Sequence, residues 1–258
     1  MATERDRVWV DTMPAAYADG LEAAVFAPFA AELAARSAGA VRVLEIAAGT
    51  GVVTRELTGE VLATDLNPAM VELGSRRAPG ARWQQADAAH LPVEDGSLDL
   101  VLCGFGVMFF PDRVQAYTEV RRVLAPGGRF MFTTWDTIDT HDFAAALDQG
   151  LRAAFPADPP RFVAAVPHGY ADPARMRADL AAAGFSDVDV ERVVRTGTAP
   201  SAEAVARGFC TGTPLRAQLA ERGDLAAATE VVAAEMVRLL GEGEVRGDMA
   251  AYLVTAAP

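Results

Sequence analysis

The hydrophobic pattern changes period twice along the chain. Tyr17, Leu21, Val25, Phe29 and Leu33 recur every four residues, and the pattern predicts a helix over residues 9–36 that closes at Gly39. Val41 to Ile46 is short, apolar and β-branched, the mark of a buried strand. It runs into the small-residue turn Ala47-Ala48-Gly49-Thr50-Gly51, and Val52 to Leu57 is predicted as a short helix. Strands are predicted at Val61–Asp65, Ala81–Ala86, Leu98–Cys103 and Arg129–Trp135. Between them lie a helix capped by Asn67 with Pro68 at its first position and another from Pro111 to Ala125. Strand and helix thus alternate over residues 41–135, which predicts βαβ units and a doubly wound, mostly parallel sheet with helices on both faces.

The remainder is less regular. Helices are expected at Phe143–Phe155, from Asp172-Pro173 to a closing Gly184, and over residues 201–240 in pieces broken near Gly212 and Gly223. Val188–Val194 and Met249–Thr255 read as a terminal antiparallel strand pair whose connection carries the helical insertion. The expected whole is a seven-stranded α/β chain forming one domain over 1–258. Residues 1–40 are its N-terminal helical cap, 41–136 its cofactor-binding core, and 137–258 its acceptor-side helices and last strands.

Composition narrows the function classes. The chain has 258 residues, half of them hydrophobic, and no apolar run long enough to read as a membrane span. The charged N-terminus has no apolar core of a signal peptide, so the expected location is cytoplasmic. All 23 basic residues are arginine, and the net charge is −12. An acidic chain repels phosphate backbones, so no nucleic-acid partner is expected. Cys103, Cys210 and the three histidines stand in no metal-ligand spacing, and both cysteines are expected as buried thiols.

In an open α/β sheet a ligand sits beyond the carboxyl ends of the strands. Those ends carry Glu45 to Gly51, Asp65, Asp87 and Cys103-Gly104-Phe105-Gly106. Gly49 and Gly51 permit close backbone approach to a ligand, although a tight turn alone also accounts for them. A nicotinamide fingerprint needs a third glycine where Thr54 stands. Asp65, fourteen residues beyond Gly51, can accept hydrogen bonds from both hydroxyls of a ribose, which points to a nucleoside.

Residues 44–136 resemble the class I S-adenosylmethionine-dependent methyltransferases, in particular their ubiquinone-biosynthesis-like, small-molecule branch. LEIAAGTG resembles the family's acidic-start glycine motif, ATDLNPAMVELG its ribose segment, QQADAAHLPVEDGSLDLVLC its adenine segment, and EVRRVLAPGGRFMFTTW its helix–PGG–strand segment. Ala47 departs from the pattern, since the family often has glycine there. The resemblance implies that Ala47, Gly49 and Gly51 face the methionine part of the cofactor through their backbone, with Glu45 orienting the loop. It further implies that Asp65 binds the ribose, Leu66 packs on the adenine, Asp87 and the amide of Ala88 meet the ring, and Cys103 and Gly104 contact the cofactor's amino group. Leu66 reads equally as a core residue and Cys103 as a buried thiol. Tyr17 is expected to fold over the cofactor or to pack in the core.

The expected activity is methyl transfer from S-adenosylmethionine to a small-molecule acceptor, with S-adenosylhomocysteine as product and a monomer or homodimer as the working unit. Phe105, Met108, Phe109 and Phe110 could wall a dry acceptor pocket or pack in the core. His141 and His168 are the candidate bases, against the plainer reading of satisfied polar groups, and His90 is taken as a surface histidine. Three rivals stay open: a non-methyl reaction such as cyclisation on the same fold, a nicotinamide oxidoreductase, and a non-catalytic cofactor-binding module.

Overall fold

The computed structural model describes residues 16–258. Seven strands form one sheet in the order β3-β2-β1-β4-β5-β7-β6. They are β1 (Arg42–Ile46), β2 (Glu60–Asp65), β3 (Arg82–Gln85), β4 (Leu98–Gly104), β5 (Leu124–Trp135), β6 (Asp187–Ala199) and β7 (Val245–Ala257). The first five run parallel, and β7 enters antiparallel to β5, pairing Phe130 with Ala256 through Trp135 with Ala251. Strand order reverses between β1 and β4, which is where such a sheet opens a crevice for a ligand.

The helices are α1 (Ala27–Arg36), α2 (Pro68–Arg77), α3 (Arg113–Val123), α4 (Asp142–Ala154), α5 (Phe162–Ala165), α6 (Pro173–Ala182), α7 (Ala202–Gly212), α8 (Leu215–Arg222) and α9 (Leu225–Leu240). Their starts follow capping chemistry: Asn67, Asp112, Asp172, Ser201 and Asp224 each accept a hydrogen bond from a first-turn N–H. Gly184 takes the left-handed conformation (φ +90°) just beyond α6, as a helix-closing glycine does.

Several elements differ from the sequence expectation. Residues 9–15 of the predicted first helix lie outside the described residues. Ahead of α1 the chain winds as a π-helix over Ala18–Phe26. Leu21 and Val25 within it, and Phe29 and Leu33 of α1, are all buried. The predicted helix Val52–Leu57 shrinks to one 3-10 turn, Thr54–Glu56. Too few residues separate Gly51 from β2 to offset the cost of nucleating an α-helix. β5 starts at Leu124 rather than Arg129, with a register shift between Leu98 and Leu100 in its partner.

Contacts gather into two compact units. One comprises described residues up to Pro28, Asp136–Gly169 and Val194–Ala250; in it Gly20 meets Gly208 so closely that a Cβ on Gly20 would lie 2.5 Å from the Gly208 Cα. The other comprises Phe29–Trp135, Tyr170–Val193 and Ala251–Pro258 and holds the parallel strands.

Trp83 of β3 locks that second unit. Its indole N–H donates to the Ala78 carbonyl at 3.1 Å, and its ring lies over Gly74 of α2 and Gly51 of the β1 turn. A Cβ on Gly74 would come 2.2 Å from the ring. In an open helix Gly→Ala stabilises by about 1 kcal/mol. Here overpacking of about 1–3 kcal/mol opposes it. Gly74→Ala is therefore expected to lower the melting temperature; an unchanged or higher value would show that Trp83 yields freely.

Candidate functional site

The site is built where β1 and β2 end side by side in parallel register, Glu45 opposite Ala63 and Ile46 opposite Thr64. The chain leaves β1 in three left-handed steps, Ala47 (φ +52°), Gly49 (+57°) and Gly51 (+84°). The glycines take this conformation without cost, and Ala47 holds it against roughly 1 kcal/mol of strain. That strain explains why a glycine suits this position. The Ala47 methyl is accommodated because Gly106 faces it: a Cβ on Gly106 would lie 2.6 Å from both the Ala47 Cβ and the Cys103 sulfur.

Asp65 ties the loop down. Its Oδ2 accepts from the Gly49 N–H at 2.8 Å and its Oδ1 from the Asn67 N–H at 2.9 Å. Asn67 caps α2 itself, through Ala69, which leaves the aspartate to join the two turns. Burial pushes the Asp65 carboxyl upward, and the N–H groups of Asn67, Gly49 and Leu66 oppose that shift. A carboxylate offers about four acceptor positions, so Asp65 keeps acceptor capacity beyond these N–H groups. A hydroxyl donor matches that capacity.

Around this carboxylate the second unit assembles most of the sequence candidates. Leu66 is an exposed apolar side chain, 46% accessible, and its carbonyl accepts from the Gln85 amide. Leu66 therefore does not pack in the core. At the end of β3 Ala86 donates to the Asp65 carbonyl, followed by exposed Asp87 and half-buried Ala88. Asp87 accepts from the Ala89 N–H at 2.9 Å, and His90 lies 3.8 Å from its other oxygen. His90 is exposed, as expected, but its place beside Asp87 was not foreseen. At the tip of β4 the Cys103 thiol is fully buried and shifted upward by burial, so it is no thiolate. A side chain on Gly104 would strike Val53 at 2.9 Å.

Glu45 is fully buried and accepts from the Thr54 hydroxyl at 2.5 Å. Thr54, read from sequence only as an absent glycine, is thus the partner that turns the acid toward the loop. The signal was present: a hydroxyl nine residues past a buried acid, where a nucleotide loop returns. Burial pushes the Glu45 carboxyl up to about 8, with the Asp65 charge adding and Thr54 and Arg55 opposing.

Of the expected pocket residues, Phe105 is a strained one (φ +54°) whose ring stacks on Trp135 at 3.8 Å, with Phe29 edge-on at 5.2 Å. It and Met108 are buried, whereas Phe109 is 38% exposed and Phe110 half-buried. Tyr17, His141 and His168 fall in the other unit. Tyr17 stacks on Phe26 at 5.0 Å. His141 is the N-cap of α4, its Nδ1 accepting from the Ala144 N–H at 3.3 Å. The His168 Nδ1 lies 2.7 Å from the Asp136 carbonyl.

A doubly wound sheet with a glycine turn and a ribose-competent aspartate at its switch point is an adenosyl-binding α/β protein. Residues 44–132 match the family described as "Methyltransferase domain". A demethylmenaquinone methyltransferase of Mycolicibacterium vanbaalenii is 33% identical over 159 residues, 57% of this chain and 69% of that one. A malonyl-[acyl-carrier protein] O-methyltransferase of Halorhodospira halophila is 35% identical over 178 residues, but the match spans only 60% of its length. Among solved structures, the YcgJ protein of Bacillus subtilis superposes with a TM-score of 0.55 at 21% identity, covering 88% of this chain and 97% of that one, which shows a shared fold. This chain belongs to the S-adenosylmethionine-dependent methyltransferases of the ubiquinone- and menaquinone-biosynthesis type.

The raised Glu45 has a consequence for stability. An acid whose carboxyl rises from 4.5 to about 8 on folding contributes stability that is complete below 4.5 and is lost as pH rises through about 8. Glu45→Gln keeps an acceptor for Thr54 and removes the ionisation. Its unfolding free energy, measured by denaturant titration, is expected to gain on the parent's steadily between about pH 5 and pH 8, by up to about 1.4 kcal/mol per pH unit. A pH-independent difference would show that Glu45 is ionised in the folded protein.

Proposed function

We propose that this chain transfers the methyl group of S-adenosylmethionine to a small, planar, hydroxyl-bearing acceptor of quinol type. One observation carries the reading: the Asp65 carboxylate, held between Gly49 and Asn67, keeps acceptor capacity at the point where strand order reverses. Bound there, the sulfonium supplies an activated methyl group. The chain's own residues align and enclose. Ala47, Gly49 and Gly51 present backbone to the methionine part, Asp65 holds the ribose, Leu66 underlies the adenine, and Asp87 with the Ala88 amide reads the ring edge. Cys103 and Gly104 offer backbone to the amino group.

Transfer between a sulfonium and a neutral nucleophile disperses charge, so dry apolar walls do not oppose it, and alignment supplies much of the rate. The relative named for demethylmenaquinone supports a quinol-type acceptor, and the one named as a malonyl-[acyl-carrier protein] O-methyltransferase leaves oxygen methylation open. The missing third glycine, with Thr54 bound to Glu45 in its place, speaks against a nicotinamide enzyme. We assign 1–258 to one methyltransferase domain acting in the cytoplasm; among the described residues no helix is long and apolar enough to cross a membrane.

S-adenosylhomocysteine at a hundredfold excess over its Kd is expected to stabilise the protein by about 2.7 kcal/mol. NAD is expected to leave the melting temperature unchanged. Asp65→Ala removes the ribose acceptor and frees the turn, and a Kd raised about a hundredfold is expected by calorimetry, since each hydrogen bond to a charged group is worth about 1.5–3 kcal/mol. Stabilisation by NAD, or undiminished affinity in the variant, would end this reading.

A further inference from the structure

One arginine of α3 commits its whole guanidinium to a single loop and the acid beside it. The segment from Asp87 to Ser97, between β3 and β4, belongs to none of the strands or helices, and only an isolated bridge joins Asp87 to His90. Arg122, in the last turn of α3, holds this segment. A guanidinium has five N–H groups, and those of Arg122 are all engaged. Nε and Nη2 donate to Glu119 Oε1 and Oε2, both at 2.8 Å, and Nη2 also donates to the Leu91 carbonyl at 3.1 Å. Nη1 donates to the Val93 carbonyl at 2.9 Å and to Asp95 Oδ1 at 2.6 Å. Glu119 in turn accepts from the Leu91 N–H at 3.0 Å, so loop and helix share one carboxylate. The Arg122 guanidinium holds that carboxyl below its ordinary range, with the Leu91 N–H and His90 adding and burial opposing. On the backbone, Gly96 and Ser97 donate to the Arg122 and Val123 carbonyls at 2.9 Å, which satisfies the end of the helix.

This clamp grips the exit of the turn that carries Asp87 and Ala88. The turn is entered through the Ala86 N–H on the Asp65 carbonyl at 3.0 Å and closes through the His90 N–H on the Asp87 carbonyl at 2.9 Å. Leu91, the next residue, is buried and is where Glu119 and Arg122 bind. The flank between turn and helix is an open groove lined by Ala89, His90, Gln115 and Thr118, so polar contacts rather than packing join the two there. Lysine does not substitute in such a role: its three donors radiate from one point and do not span Glu119, Leu91, Val93 and Asp95 together. Every residue named lies in the same compact unit as the glycine turn.

We propose that Arg122, with Glu119, is a positioning residue for the nucleobase: by fixing the exit of the Asp87 turn it sets the Asp87 carboxylate and the Ala88 amide against one edge of an adenine, and so gives the site its choice of base. This rests on the methyltransferase reading above. Adenine presents an amino donor at C6 and a bare N1 acceptor beside it, the complement of a carboxylate and an amide N–H. Hypoxanthine presents an oxo oxygen and an N1–H at the same places and reverses both. A turn released from the clamp loses that discrimination, while the Asp65 side chain, anchored separately by Gly49 and Asn67, still meets the ribose. Ribose and base are thus read by carboxylates with different anchors.

Calorimetry with S-adenosylhomocysteine and S-inosylhomocysteine, which differ only in the base, tests this. The parent is expected to bind the adenosyl ligand about tenfold more tightly or better, the worth of one hydrogen bond to a charged group. Arg122→Lys keeps a positive charge beside Glu119 and removes the fork. It is expected to raise the adenosyl Kd about tenfold and to leave the inosyl Kd unchanged, so that the preference collapses. In an Asp87→Ala background the same substitution is expected to leave the ratio of the two Kd values where it is, because the clamp acts through Asp87. Glu119→Gln, neutral and of the same shape, is expected to reduce the preference by a smaller factor, and it carries the test if Arg122→Lys does not melt cooperatively. A preference left intact in either folded variant, an equal loss of both ligands, or a further change of the ratio in the Asp87→Ala background overturns the proposal, as does a parent that binds the two ligands equally. A parent that binds neither is the separate failure of the methyltransferase reading.

Discussion

The Asp65 carboxylate is the constraint on which the site depends. One side chain, at the tip of β2, receives the Gly49 N–H from the turn after β1 and the Asn67 N–H at the start of α2. Without it, two loops that leave neighbouring strands have no shared anchor. With it, the left-handed path of Ala47–Gly51, the cap of α2 and the placement of exposed Leu66 become one rigid feature. The cost is a second negative charge near buried Glu45, and the protein meets it through burial, which keeps Glu45 protonated although the Thr54 hydroxyl opposes the shift. Electrostatics and loop geometry are thus settled by the same few atoms.

Steric economy does the rest of the positioning. Gly106 leaves room for Ala47 and Cys103, Gly104 for Val53, and Gly74 with Gly51 for the Trp83 ring. These contacts join the tips of β1 and β4 on one side and β3 to α2 on the other. Each replaces a side chain by backbone or by another residue's ring, so the turn is held from several directions and strain at Ala47 persists. Phe105 shows the same logic. Its left-handed backbone is held by the Thr133 backbone and side-chain oxygens and by its stack on Trp135.

The histidines illustrate a different use of burial. Neither ring is left to choose its tautomer: a helix N–H decides one and a carbonyl decides the other. Residue type and position in the chain say nothing about this, because an imidazole serves equally as donor or acceptor until a partner is specified.

The sequence by itself determined the alternation of strands and helices, the caps at Asn67 and Asp172, the glycine turn and the aspartate one strand away, because these rest on local periodicity and on chemistry within a few residues. It also marked the antiparallel end of the sheet, whose strands proved longer than their apolar centres implied. Only the tertiary structure decided that Thr54 answers Glu45, that Trp83 roofs Gly51 and Gly74, that Ala47 is paired with Gly106, and that the helix after β1 collapses to one turn. The π-winding of Ala18–Phe26 belongs here too, since an apolar period of four fits either winding until packing chooses. Those outcomes join residues far apart in the chain through close contact, and a linear pattern carries no record of which distant atoms will share a surface.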